Sequence, residues 1–280
     1  MPNTRSSGST TFPSSTTRRQ TSSKETSPTT PKEASVLTTS SKELIALQFP
    51  FFEDRYTQNL EKLVSLVQKA PADSVVLAPE LCLTNFSFDR MEQAADFGRE
   101  ALPTLLDLSR EKILSLTMTE KIGNHYYNSA KIFHNGKEVH SQPKVKLFTL
   151  GNEERYFTPG TPEKVQIVEI EGIRYAILIC FEIRFIQLWQ RIQGADIILI
   201  PALWGRLRKA HLEAITGAMA IINQAYVLLS DSANDDMAAS SGIVTPFGDA
   251  YRDDRSEYIS HIADLREVEK MRRYMDIGLT

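Results

Sequence analysis

Tyr175-Ala-Ile-Leu-Ile-Cys180, followed at once by Phe181-Glu182-Ile183-Arg184-Phe185, decides how the chain is read. A continuous apolar run of that length, closed by charge, suits a strand buried on both faces. Strands with two buried faces belong to sheets covered by helices. A thiol where such a strand opens into a turn is well placed to be presented as a nucleophile.

Working outward, strand and helix signals alternate. Glu43 to Gln48 reads as a first strand, and Asn59 to Lys69 as a helix with Leu60, Leu63, Leu66 and Val67 at helical spacing. Ser74 to Ala78 is a second strand ended by Pro79-Glu80. A helix over Arg90 to Arg110 is expected to be interrupted near Pro103, and Lys112 to Met118 is a third strand. Ser129 to Phe133 and Glu138 to Ser141 flank Asn135-Gly136, the preferred dipeptide of a type I′ hairpin turn. Lys164 to Ile170 alternates like a strand. Ala195 to Pro201 is a second buried strand, separated from the first by a helix. Lys209 to Gln224 is helical, Tyr226 to Ser230 and Gly242 to Thr245 are strands, and Arg266 to Tyr274 is a last helix. No internal repeat is visible. Elements interleaved in this way predict an α/β body with mixed sheets and helices packed outside.

Composition excludes several classes. Of 280 residues, 41% are hydrophobic and 24% charged, ordinary for a globular protein. A net charge of -3 implies neither a nucleic-acid surface nor an anionic membrane as partner. No apolar stretch approaches the roughly 18 residues of a membrane span. Cys82 and Cys180 are the only cysteines, too few for a disulfide framework or a cysteine zinc cluster, which fits a reducing, cytoplasmic compartment. The five histidines, His125, His134, His140, His211 and His261, form no pair at metal-ligand spacing, so no metal or cofactor is expected.

Residues 1 to 40 stand apart. They hold 21 Ser or Thr and four Pro with almost no large apolar residue, and they are mildly basic. Such a segment buries too little to offset its ordering entropy and is expected to be a disordered tail. It has no secretory apolar core and no amphipathic transit-peptide face.

Three groups stand at the ends of apolar or alternating stretches. Glu80 lies in Ala78-Pro79-Glu80-Leu81, Lys144 in Pro143-Lys144-Val145-Lys146-Leu147-Phe148, and Cys180 closes its strand. A thiol is mostly protonated at neutral pH and needs a base or a cation beside it. A partly desolvated carboxylate can be that base, and an ammonium can hold a developing oxyanion. Acid, amine and thiol together suggest a cysteine hydrolase. Each also has a plainer explanation: Cys180 as an inert buried thiol, Glu80 as a helix cap, Lys144 as a solvated strand lysine. Cys82 competes as the thiol, sharing a strand face with Glu80 if that strand continues.

In four ordered blocks, residues 43 to 270 resemble the nitrilase, or carbon–nitrogen hydrolase, superfamily. Leu77-Ala-Pro-Glu-Leu81 is similar to its Pro-Glu block, and Lys144-Val-Lys-Leu-Phe148 to its Lys-x-His-Leu block. Glu153, Tyr156-Phe157 and Pro159-Gly160 match the acidic segment that follows. Cys180-Phe-Glu-Ile-Arg-Phe185 resembles the Cys-Tyr-Asp-x-Arg-Phe nucleophile block, and Asp196 to Pro201 with Trp204, then Gly242 to Gly248, match later blocks. The resemblance implies a four-layer αββα sandwich over residues 41 to 280. It implies Glu80 as general base, Lys144 as oxyanion stabiliser and Cys180 as nucleophile. Glu153 is the implied second acid, the Phe181 N–H completes the oxyanion hole, and Trp204 stands on the substrate side. No cofactor is required. The implied substrate is a small-molecule amide that releases ammonia, with an N-carbamoyl amino acid as runner-up and a silent scaffold as the non-enzyme alternative. A papain-like protease is disfavoured, because Cys180 lacks that family's Cys-Gly-Ser-Cys-Trp context. Family members pair as dimers or larger assemblies, and the apolar cluster in Phe185 to Gln193 is expected to serve that contact. Lys146 stands where the family often has His, a rival to Lys144. Met219-Ala-Ile-Ile222 replaces the usual Arg-Ala-x-Glu run, removing a candidate buried ion pair.

Deleting residues 1 to 40 should leave melting temperature and activity nearly unchanged. A loss of several degrees would show instead that the segment packs on the body.

Overall fold

The computed structural model describes residues 41–279. The Ser/Thr-rich segment 1–40 lies outside the described residues. Twelve strands form two mixed six-stranded sheets among the described residues.

The first sheet has the order β12-β1-β2-β3-β4-β5, built from β1 (Ser41–Leu47), β2 (Val75–Leu77), β3 (Ile113–Ile122), β4 (His125–His134), β5 (Lys137–Pro143) and β12 (Tyr258–Asp264). The second runs β11-β10-β9-β8-β7-β6, from β6 (Val168–Ile170), β7 (Ile173–Ile177), β8 (Ile197–Pro201), β9 (Tyr226–Ser230), β10 (Gly242–Val244) and β11 (Ala250–Arg252). In each sheet three parallel strands, β1-β2-β3 and β7-β8-β9, are flanked by antiparallel neighbours. The parallel strands are joined by helices: α1 (Tyr56–Val67) and α2 (Met91–Leu108) in the first sheet, α3 (Ile186–Arg191) and α4 (Lys209–Asn223) in the second. The chain therefore repeats a topology without repeating a sequence. α5 (Arg266–Tyr274) ends the fold.

Strand periodicity makes the layers. Along β1, Leu44 and Ala46 join the core shared with the second sheet, while Ile45 and Leu47 pack with Leu63, Leu66 and Leu105 of α1 and α2. Leu188 of α3 and Leu212 and Met219 of α4 cover the far side of the second sheet. The result is the expected αββα sandwich.

Several boundaries move. α2 runs through Pro103 without interruption, because burying Ala101 and Leu105 outweighs the one N–H that proline cannot donate. Only Val168–Ile170 of the expected strand 164–170 pairs, since Pro162–Lys164 turns as a short 3₁₀ segment. The hairpin around Asn135-Gly136 is present, with both residues at positive φ as a type I′ turn requires. β11 and β12 carry no run that sequence pattern alone reveals, although β12 pairs with β1 over seven residues. In α3, Leu188 is buried and Trp189 donates its indole N–H to the Ile183 carbonyl. The chain's own core thus takes up most of the apolar surplus expected there for self-association, leaving Ile186 exposed. In α4, Met219 is fully buried in the core while Ile222 is half exposed, so the two ends of the altered family run lie in different surroundings.

Candidate active site

Strand ends from both sheets meet at one place. β2 ends at Leu77 and the chain turns through Glu80, with Leu81 at φ 49°. No helix follows Pro79, so Glu80 caps nothing. Its N–H donates to the Ala202 carbonyl just past β8 at 3.1 Å, tying the two sheets together. β5 ends at Pro143 and delivers Lys144, whose N–H bonds the Asn128 carbonyl at 2.8 Å. β7 ends at Ile177, and Cys180 leaves the strand line at φ 47°, where a non-glycine residue costs on the order of 1 kcal/mol.

The Lys144 ammonium is fully buried between two carboxylates, 2.7 Å from Glu80 Oε1 and 2.8 Å from Glu153 Oε1. Burial works against its charge, but Glu80 and Glu153 outweigh that and hold it above the usual lysine range. Burial raises the Glu153 carboxyl, with Lys144 pulling it back, and its Oε2 accepts the Phe148 N–H at 3.1 Å. Asn128 Nδ2 donates to Glu80 Oε1 at 2.7 Å. Glu80 Oε2 is buried and has no hydrogen-bond partner among the described residues.

Cys180 is buried but lines a cavity of about 760 Å³. Burial pushes its thiol well above the usual range and the Glu80 carboxylate adds to this, while Lys144 and a hydrogen bond with the Leu203 backbone pull the other way. Glu153, Phe181 and Trp204 line the same cavity. Phe181 packs between Phe148 and Phe185, with ring centroids 5.0 and 5.2 Å away. Trp204 is fixed by its backbone N–H on Asp231 Oδ1 and by its indole N–H on the Arg208 carbonyl.

The rivals sit elsewhere. Lys146 points over the Phe185 ring, its ammonium 5.1 Å from the centroid. Cys82 is fully buried in the core under α1 and α2, and burial raises its thiol. Among the described residues no group of three or more His, Cys, Asp or Glu is placed to hold a metal ion.

A carbon–nitrogen hydrolase family model matches residues 47–257. The chain belongs to that family. It is 28% identical over 216 residues to a 2-oxoglutaramate amidase of Bacillus subtilis (strain 168), covering 72% of this chain and 82% of the relative. It is 25% identical over 207 residues to a deaminated glutathione amidase of Escherichia coli O157:H7, covering 69% and 79%. Its fold superposes on the crystal structure of Saccharomyces cerevisiae Nit3, a member of branch 10 of the nitrilase superfamily, with TM-score 0.77 and 20% identity. That match covers 88% of this chain and 98% of Nit3.

Sequence reasoning missed three buried polar groups of this family member. Asn128 reaches Glu80 with its side chain and Lys144 with its carbonyl. Glu182 accepts the N–H groups of Val145 (2.6 Å) and Lys146 (3.3 Å) on Oε1 and of Ile179 (2.7 Å) on Oε2, pinning the Lys144 segment to the Cys180 turn. Asp231 accepts the N–H groups of Trp204 (2.8 Å) and Ala239 (3.2 Å), holding the loop past β8. The one visible signal was that Glu182 stands between the apolar Phe181 and Ile183.

Burial pushes the Glu182 carboxyl from 4.5 up to about 7, although its three N–H donors pull the other way. Because the folded value lies above the unfolded one, the stability this group contributes is full below about pH 4.5 and lost as pH rises through about 7. Between pH 4.5 and 8, wild type should lose up to about 3 kcal/mol relative to Glu182→Gln, each pH unit being worth about 1.4 kcal/mol. Denaturant melts of both proteins across that range measure this. A pH-independent gap contradicts it.

Proposed function

We propose that this family member is an amidase that hydrolyses the linear amide of a small molecule through a thioester on Cys180, releasing ammonia. The observation that carries this reading is the buried Glu80–Lys144–Glu153 cluster beside a cavity-lining thiol. The amidase names of the two curated relatives agree with it.

Each group's free valence suits a role. Glu80 Oε1 is occupied by Lys144 and Asn128, so its partnerless Oε2 takes the Cys180 proton. The sulfur then attacks the amide carbon, and the carbonyl π pair moves onto oxygen. An ammonium has three N–H donors. Lys144 spends two on Glu80 and Glu153, which leaves one for the oxyanion, alongside the Phe181 N–H. As the C–N bond breaks, Glu80 returns its proton to the nitrogen and ammonia departs. Glu80 next takes a proton from water, whose oxygen attacks the thioester carbon. The C–S bond breaks, the acid leaves, and Cys180 recovers its proton. Because the thiol is pushed up at rest, deprotonation has to accompany attack, which makes an adjacent base necessary.

The two cysteines are free thiols, and we place the enzyme in a reducing, cytoplasmic compartment on that basis. Pairing of copies is proposed on family likeness alone.

Ammonia release by purified variants tests the roles, with folding checked by circular dichroism. Cys180→Ala should abolish turnover. Glu80→Gln should cost at least about 10²-fold, and Lys144→Met roughly 10²–10³-fold. Lys146→Met and Cys82→Ala should be nearly silent. Turnover by folded Cys180→Ala would end this assignment, and carbon dioxide released together with ammonia would move the enzyme to N-carbamoyl substrates.

A further inference from the structure

The cavity beside Cys180 has a composition that a short amide does not need. Its walls are rings, with Phe86, Phe88, Phe148, Phe181 and Trp204 among the lining residues. Two leucines on its rim are almost bare: Leu150 is 83% exposed on the turn Thr149–Gly151, and Leu207 is 96% exposed on the turn Arg206–Arg208. Fully exposed leucines cost solvation unless something apolar covers them. At about 760 Å³, the cavity suits a ligand several times the size of a five-carbon ω-amide.

Three cations share this mouth. Arg184, Arg206 and Arg208 all line the cavity, and among the described residues none makes an ion pair with a carboxylate. Arg184 and Arg208 are held by aromatic faces instead. The Arg184 guanidinium lies 4.8 Å from the Trp204 ring centroid and 3.2 Å from His211 Nδ1, and that of Arg208 lies 5.4 Å from the Phe148 centroid. Opposing charge in the lining comes from Asp236 and from Glu153, and Lys144 already neutralises the latter. Oriented guanidinium groups with no acid of their own are suited to a ligand carboxylate.

Resting on the amidase reading, we propose that the substrate is a primary amide that also carries a carboxylate and, between the two, an apolar, preferably aromatic, body. The amide carbon meets Cys180, the body lies against the rings under Leu150 and Leu207, and the carboxylate meets the arginines at the mouth. A short ω-amide would satisfy the arginines and leave the rings and leucines wet. A neutral aryl amide would do the reverse.

Three probes separate these cases: glutaramate, which has the carboxylate alone; 3-phenylbutanamide, which has the ring alone; and 3-phenylglutaramate, which has both. Calorimetric binding to Cys180→Ala should be at least about tenfold tighter for 3-phenylglutaramate than for either other probe. Arg206→Gln in that background should narrow the gap between the two phenyl probes. Glutaramate binding as tightly as its phenyl homologue, or 3-phenylbutanamide doing so, overturns the proposal. Ammonia release by wild type is read separately. Tight binding of the double-featured probe with no release of ammonia from any of the three would leave the ligand class standing and count against the amidase reading.

Discussion

Everything at the site depends on one buried ammonium. Lys144 is closed off from water and held by Glu80 and Glu153, and each of the three comes from a different stretch of chain. Removing one partner from a buried ion pair typically costs about 3–5 kcal/mol, because a charge is left uncompensated. The turn after β2, the end of β5 and the 3₁₀ turn at Glu153 are therefore obliged to meet. The same cluster carries two carboxylates for one ammonium, an imbalance that favours a waiting proton acceptor over a neutral structural pair.

Around the cluster, irregular backbone is held by buried side chains. Asn128 spans Glu80 and Lys144, Glu182 joins the Lys144 segment to the Cys180 turn, and Asp231 fixes the loop that carries Trp204. Loops at strand ends have no ladder to satisfy their N–H groups, so buried carboxylates and amides supply the acceptors. Rigidity at the site is obtained in this way, at the cost of two carboxyls whose ionisation burial resists, each pushed up to about 7.

The sandwich was largely legible in the sequence because its central strands are unbroken apolar runs and its helices show a clear period. Tyr175 to Ile179 and Ile197 to Ile200 left little choice, and Asn135-Gly136 placed a hairpin. β12 was not legible, since Ser260 and His261 break its pattern and pairing with β1, more than two hundred residues earlier, is what makes it a strand. At the site, Glu80, Lys144 and Cys180 stood out by position. The choice between Lys144 and Lys146 did not follow from period, because both would share one face of a continuing strand. The strand stops at Pro143, the alternation lapses, and the two lysines part company: one enters the carboxylate pair while the other lies over Phe185. Asn128 reaches Glu80 and Glu182 reaches Val145 across long stretches of chain, and apart from the charge of Glu182 among apolar residues local pattern holds no trace of such contacts.

The central claim is that the thiol of Cys180 carries the acyl group. Intact-protein and peptide mass spectrometry of the wild-type enzyme, acid-quenched during turnover of a primary amide, tests it most directly. The account predicts an acyl adduct on the peptide containing Cys180 and none on that containing Cys82. An adduct on Cys82, or steady turnover by wild type with no acyl-enzyme trapped at any time, would contradict it.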